Sequence, residues 1–124
     1  MRHIDSWVVE FVDEFAAEFP NLPKGTRVEL AALAGLLQKF GPTLGRPRVD
    51  TLKGSRHPNM KELRFSAEGG EWRVAFAFDP RRHAMVLIAG DKAGVSSSRF
   101  YGELIRKADL RFESHLKQIA KGER

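Results

Sequence analysis

The sequence predicts an α+β fold, organised as one domain over residues 1–124. Residues 60–89 hold three short segments of strand character divided by tight turn signals. Helical stripes flank that block, one over 26–40 and one from Ser98 onward. Hydrophobic residues make up 42% and charged residues 30% of the chain, which fits a globular domain with a single core rather than a disordered chain.

The first segment, Ser6 to Phe19, carries two patterns. Trp7, Val9 and Phe11 alternate as in a strand, whereas Phe11, Phe15 and Phe19 recur at helical spacing. A short strand that turns into a short helix near Glu10 satisfies both. Pro20-Asn21-Leu22-Pro23 breaks the chain. Thr26 and Glu29 have the spacing of a capping box, and Leu33, Leu36, Leu37 and Phe40 form one apolar stripe ended by Gly41-Pro42. Residues 41–59, rich in glycine and proline, read as one long loop of the kind that carries function. Strands follow over 60–67, 71–79 and 84–89, the last apolar on both faces as a covered strand is. Tyr101, Leu104, Ile105, Ala108, Phe112, Leu116 and Ile119 then mark the last helix, with Lys117, Lys121 and Arg124 suiting its C-terminal end.

Composition bounds the function. No apolar run reaches the roughly 20 residues of a membrane span, the start through Asp5 lacks a secretory signal's apolar stretch, and there is no cysteine, so a cytoplasmic protein without disulfides is expected. His3, His83 and His115 are scattered without metal-ligand spacing, so neither metal nor cofactor is expected. The net charge of +5 favours a polyanionic partner. Residues 46–64 concentrate it: Arg46, Arg48, Lys53, Arg56, Lys61 and Arg64 stand against only Asp50 and Glu62.

The Gly69-Gly70 pair reads as a two-residue hairpin turn. If Glu68 then pairs with Glu71, Leu63 faces Phe76, Phe65 faces Val74 and Ala67 faces Trp72, placing the large apolar residues on one side. On the reverse side Arg64 lies diagonal to Arg73, within about 7–8 Å at Cα. Two guanidinium groups held so close call for an anion between them, and a phosphodiester suits their bidentate geometry. The competing reading is that Glu62 or Glu71 neutralises them.

Gly41-Pro42-Thr43-Leu44-Gly45-Arg46-Pro47, Leu52-Lys53-Gly54, Asn59-Met60-Lys61-Glu62-Leu63-Arg64, Trp72-Arg73-Val74, Ala77-Phe78-Asp79-Pro80 and Gly90-Asp91-Lys92 occur in this order. The ordered set resembles the RelE/ParE toxin superfamily, specifically its HigB-like (phage Gp49-like) branch, over residues 6–116. The resemblance implies a small, mainly antiparallel sheet with helices packed on one face. It implies a toxin of a type II toxin–antitoxin system that cuts messenger RNA on the ribosome without metal, by attack of the ribose 2′-hydroxyl. It also implies a helix-turn-helix antitoxin encoded nearby, through which alone operator DNA is bound. On this reading Arg64, Arg73 and Lys92 are catalytic, and Arg46, Arg48, Lys53, Arg56, His57 and Lys61 bind RNA. Tyr101, His57 and Lys92 are the candidates for general acid or base, although Tyr101, on the apolar stripe, reads first as core. Trp7 and Trp72 read as packing, an exposed indole being able instead to stack a base. The alternatives are a ParE-like toxin that binds DNA gyrase without cleaving, and an inactive phage-derived binding module.

Overall fold

The computed structural model describes residues 7–122. His3, Asp5, Ser6 and Arg124, which enter the expectations above, lie outside the described residues. Strand β1 (Val8–Phe11) runs into helix α1 (Asp13–Glu18), with the switch at Val12 rather than Glu10. The helical spacing of Phe11, Phe15 and Phe19 brings their rings together, at 4.8 Å between the first two and 5.1 Å between the first and last. Helix α2 (Lys24–Phe40) starts directly after Pro23, before Thr26, so the expected capping box does not form and Thr26 is buried instead. A remote carboxylate does that work. Glu68 Oε2 accepts the Gly25 amide at 2.6 Å, a negative charge at the positive end of the helix.

Five strands form one sheet in the order β1-β5-β4-β3-β2, where β2 is Val49–Thr51, β3 Lys61–Ala67, β4 Gly70–Phe78 and β5 His83–Asp91. Neighbours are antiparallel except β1, which lies parallel to β5. The α+β class and the mainly antiparallel sheet are those expected. Strand β2 interrupts the stretch read as one loop, its three residues being too few for a periodic signal.

The hairpin register needs correction. Arg64 pairs directly with Arg73, Leu63 with Val74 and Phe65 with Trp72, a shift of two residues from the expected pairing. The turn residues are Glu68 (φ 52°) and Gly69 (φ 74°), not Gly69 and Gly70. Glu68 is held in its left-handed conformation by the bond to Gly25. Gly70 instead belongs to β4, where a Cβ would come within 2.6 Å of the Asp91 carboxylate. A shift of two leaves every side chain on its expected face.

The helices do not share one face. The Phe76–Phe78 face meets Trp7, which lies against Gly41 at the end of α2. Helix α3 (Ser97–Ala120) packs on β4 and β5 from the opposite side, where Tyr101 bonds Arg73. Small residues make room for it: Ala75 and Ala77 share the Arg73 face, and a Cβ at Gly90 would sit 2.9 Å from Phe100. Strand β4 is therefore buried on both faces, Val74 and Phe76 on one and Ala75 and Ala77 on the other.

Candidate active site

A groove of about 430 Å³ opens between β2, β3 and the first turns of α3. Arg46, Asp50, Lys53, Arg64, Ser97 and Tyr101 are among its lining residues, together with Glu62. Arg64 enters it because even-numbered residues of β3 face α3. Its side chain is 39% exposed and lies 3.7 Å from Asp50 and 3.9 Å from Glu62. The Asp50 pair, long and partly exposed, contributes about 0–1 kcal/mol, so an arriving phosphate can displace it with bidentate, charge-assisted bonds. Arg46, 76% exposed, stands at the rim 3.4 Å from Asp50.

Glu62 and Tyr101 of the lining join the buried Arg73 in a polar cluster. The Tyr101 hydroxyl donates to Glu62 Oε1 at 2.9 Å and accepts from Arg73 Nε at 3.2 Å. Arg73 Nη1 donates to the Trp72 carbonyl at 2.9 Å. Burial pushes the Glu62 carboxyl up, and the opposing pull of Tyr101, Arg64 and Arg73 does not cancel it. Burial and the neighbouring carboxylate raise the Tyr101 phenol likewise. Asp50 stays below the ordinary carboxylate range because the Thr51 amide donates to it, helped by Arg46 and Arg64.

The groove gathers Arg46, Lys53 and Arg64 of the expected residues and leaves the others elsewhere. Arg73, read as facing the scissile phosphate, is only 8% exposed and sits beneath α3 among Glu62, Glu71 and Tyr101. Arg73 is thus placed under the helix beside Glu62, and not in the groove lining with Arg64. Lys92 is absent from the groove lining, and its amide donates to the Glu71 carbonyl at 2.7 Å beside the hairpin end. Arg56 is chelated by Glu113, with both bonds at 2.9 Å. His57 lies 3.1 Å from the same carboxylate with its ring edge-on to Phe112. Both residues fasten the loop to α3 with Asp109, which accepts from Ser55 and the Arg56 amide. Arg48 is exposed outside the groove, and strand alternation puts Lys61 on the face of Leu63. Sequence reasoning named Glu62 only as a neutraliser of the two arginines, assigned no role in the site to Asp50 or Ser97, and read Tyr101 first as core while keeping it as a candidate acid or base. Tyr101 does pack against the core, yet it also lines the groove. Trp72 is buried as packing.

Among the described residues no three His, Asp or Glu side chains gather as metal ligands, and no helix is long and apolar enough to cross a membrane.

The family described as "Phage derived protein Gp49-like (DUF891)" matches residues 17–113, spanning the groove and most of α3. The chain belongs to this Gp49-like family. Two Mycobacterium tuberculosis proteins named as candidate toxins place it in the HigB-like branch. HigB2 is 44% identical over 91% of this chain and 56% of its own length. HigB3 is 47% identical over 73% of this chain and 79% of its own length. The chain thus spans little more than half of HigB2. A free-state structure of the E. coli toxin RelE, carrying two arginine-to-alanine substitutions, superposes with a TM-score of 0.58 at 15% identity, covering 82% of this chain and 96% of that one. That likeness shows the Gp49-like chain to have the RelE fold.

Proposed function

We propose that the chain is the toxin of a type II toxin–antitoxin system and cuts messenger RNA on the ribosome by 2′-hydroxyl attack. The observation that carries this reading is Arg64, partly exposed and 3.7 Å from its nearest carboxylate, Asp50, opening into a groove that Lys53, Arg46 and Tyr101 also line. A phosphodiester seated there meets cations at its non-bridging oxygens, where charge grows as phosphorus becomes five-coordinate. The ribose 2′-oxygen bonds to phosphorus, the bond to the 5′-oxygen breaks, and a cyclic phosphate and a 5′-hydroxyl result. The leaving oxygen takes its proton from water, which reaches the open groove. The protein supplies alignment and electrostatics, and no step calls for a metal. The ribosome positions the message. A neighbouring helix-turn-helix antitoxin silences the toxin and contributes operator binding.

The test is induction in bacteria with mapping of transcript 5′ ends, beside Arg64→Ala. Cuts phased with codons that vanish in the variant are expected. Growth arrest with intact transcripts and altered DNA supercoiling would instead point to gyrase, and no phenotype to an inactive module.

A further inference from the structure

We propose that Glu62 is the proton acceptor behind Tyr101: the 2′-hydroxyl proton passes to the Tyr101 oxygen while the Tyr101 proton passes to Glu62, with Arg73 holding the two in line. The proposal rests on the ribonucleolytic reading above and assigns its proton path. A phenolic oxygen has one proton to give and two lone pairs to accept with. In this structure the proton is committed to Glu62 Oε1 at 2.9 Å and one lone pair to Arg73 Nε at 3.2 Å. One lone pair remains, on a residue that lines the groove.

Tyr101 alone is a poor base, since its phenol is held above the ordinary range and supplies almost no phenolate near neutral pH. Transfer through it removes that obstacle, because no phenolate has to accumulate. The O–H bond of the ribose breaks as the bond to Tyr101 oxygen forms, and the original phenol proton ends on the carboxylate. The chain gains one proton in this step, and after product leaves Glu62 returns it along the same path to the hydroxide left when water protonated the 5′-oxygen. Glu62 is itself 7% exposed and holds the Tyr101 hydroxyl through its Oε1, so it is a positioning residue that works through Tyr101. Every charged group facing it is accounted for: Arg64 on its own strand, Arg73 on β4 at 3.9 Å, Tyr101 on α3 and Asp50 on β2. The burial that raises Glu62 makes its carboxylate a better acceptor than an exposed glutamate.

Glu62→Gln tests this, because an amide oxygen still accepts the Tyr101 hydrogen bond but takes no proton. Two readouts are combined. Tyr101 is the only tyrosine in the chain, so the absorbance of tyrosinate during an alkaline titration of purified protein reports this group alone. Removing the Glu62 charge is expected to let tyrosinate form at lower pH than in the wild type. Single-turnover cleavage on programmed ribosomes is expected to fall roughly 100-fold in kcat with KM within about twofold. The acidic limb of the wild-type pH profile should be replaced by a rate that climbs toward the phenol's own ionisation. Tyr101→Phe should lose a similar factor, and the double variant little more. An unshifted tyrosinate titration would overturn the coupling. A shifted titration with an unchanged cleavage profile would overturn the relay and leave the ribonuclease reading standing. A shifted titration with no cleavage by the wild type would remove that reading and the relay with it.

Discussion

Arg64 and Arg73 face each other across one strand pair and differ only in what covers them. Arg64 is 39% exposed beside carboxylates at 3.7 and 3.9 Å, whereas Arg73 is 8% exposed and bonded to Tyr101 and the Trp72 carbonyl. The two should therefore respond oppositely to truncation. Arg64→Ala is expected to slow ribosomal cleavage by about 100- to 1,000-fold, as loss of a preorganised donor does, and to leave urea stability almost unchanged. Arg73→Ala is expected to lower unfolding stability by about 1–3 kcal/mol, because the buried Tyr101 hydroxyl and Trp72 carbonyl lose their donor and Glu62 loses one of its two neighbouring guanidinium groups. Urea unfolding of both variants, next to their cleavage rates, checks the contrast. The face of each arginine was legible in the sequence, since strand alternation survives a register shift of two. The burial of Arg73 was not, because alternation assigns a face without saying whether a helix covers it. The signal lay in Ala75, Ala77 and Gly90, small residues on the same side that admit α3.

At the scale of elements, two devices fix the sheet. The first is the β3–β4 turn, where Glu68 and Gly69 adopt positive φ and Gly70 abuts Asp91. Asp91 Oδ1 accepts the Glu71 and Ala93 amides, at 3.0 and 2.9 Å, and so cannot swing away freely. Gly70→Ala is thus expected to lower the melting temperature by several degrees, while Gly69→Asn, which tolerates positive φ, is expected to change it little. Sequence patterning pointed to both glycines as turn residues, because Glu at a left-handed position is made acceptable only by a distant bond to α2. The second device is Asp79, at the β4–β5 turn. His115 of α3 lies 2.9 Å from its carboxylate, and Arg81 donates to it at 2.8 Å. Burial works to raise the Asp79 carboxyl, but these bonds and the amides of His83 and Arg81 outweigh it and bring the pKa down to about 2. Because the folded value lies below the ordinary 3.8, the resulting stability is present above about pH 4 and is lost as the pH falls toward 2. Asp79→Asn is expected to remove about 2 kcal/mol at neutral pH and to flatten the acid limb of stability against pH. Thermal melts between pH 2 and 7 measure both.

Across the whole molecule, the fold leaves Arg48 of the basic run 46–64 exposed outside the groove and divides the rest among three destinations. Arg46, Lys53 and Arg64 line the groove, Arg56 and His57 tie the loop to α3, and Lys61 lies on the other face. Charge density along the chain announced the first group but could not separate it from the second, because Asp109 and Glu113 stand more than fifty residues away. If the groove holds a phosphodiester, Arg46→Ala and Lys53→Ala should raise KM several-fold with kcat nearly constant, and association should weaken as salt rises. The proposed reaction would leave a chemical record at the cut. The most direct measurement is the identity of the termini produced by purified protein on a ribosome-bound message. A 2′,3′-cyclic phosphate and a 5′-hydroxyl, abolished by a single 2′-deoxy substitution at the cut, are the expected result. A 5′-phosphate with a 3′-hydroxyl, or cleavage indifferent to the 2′-deoxy substitution, would contradict attack by the ribose and the groove chemistry built on it.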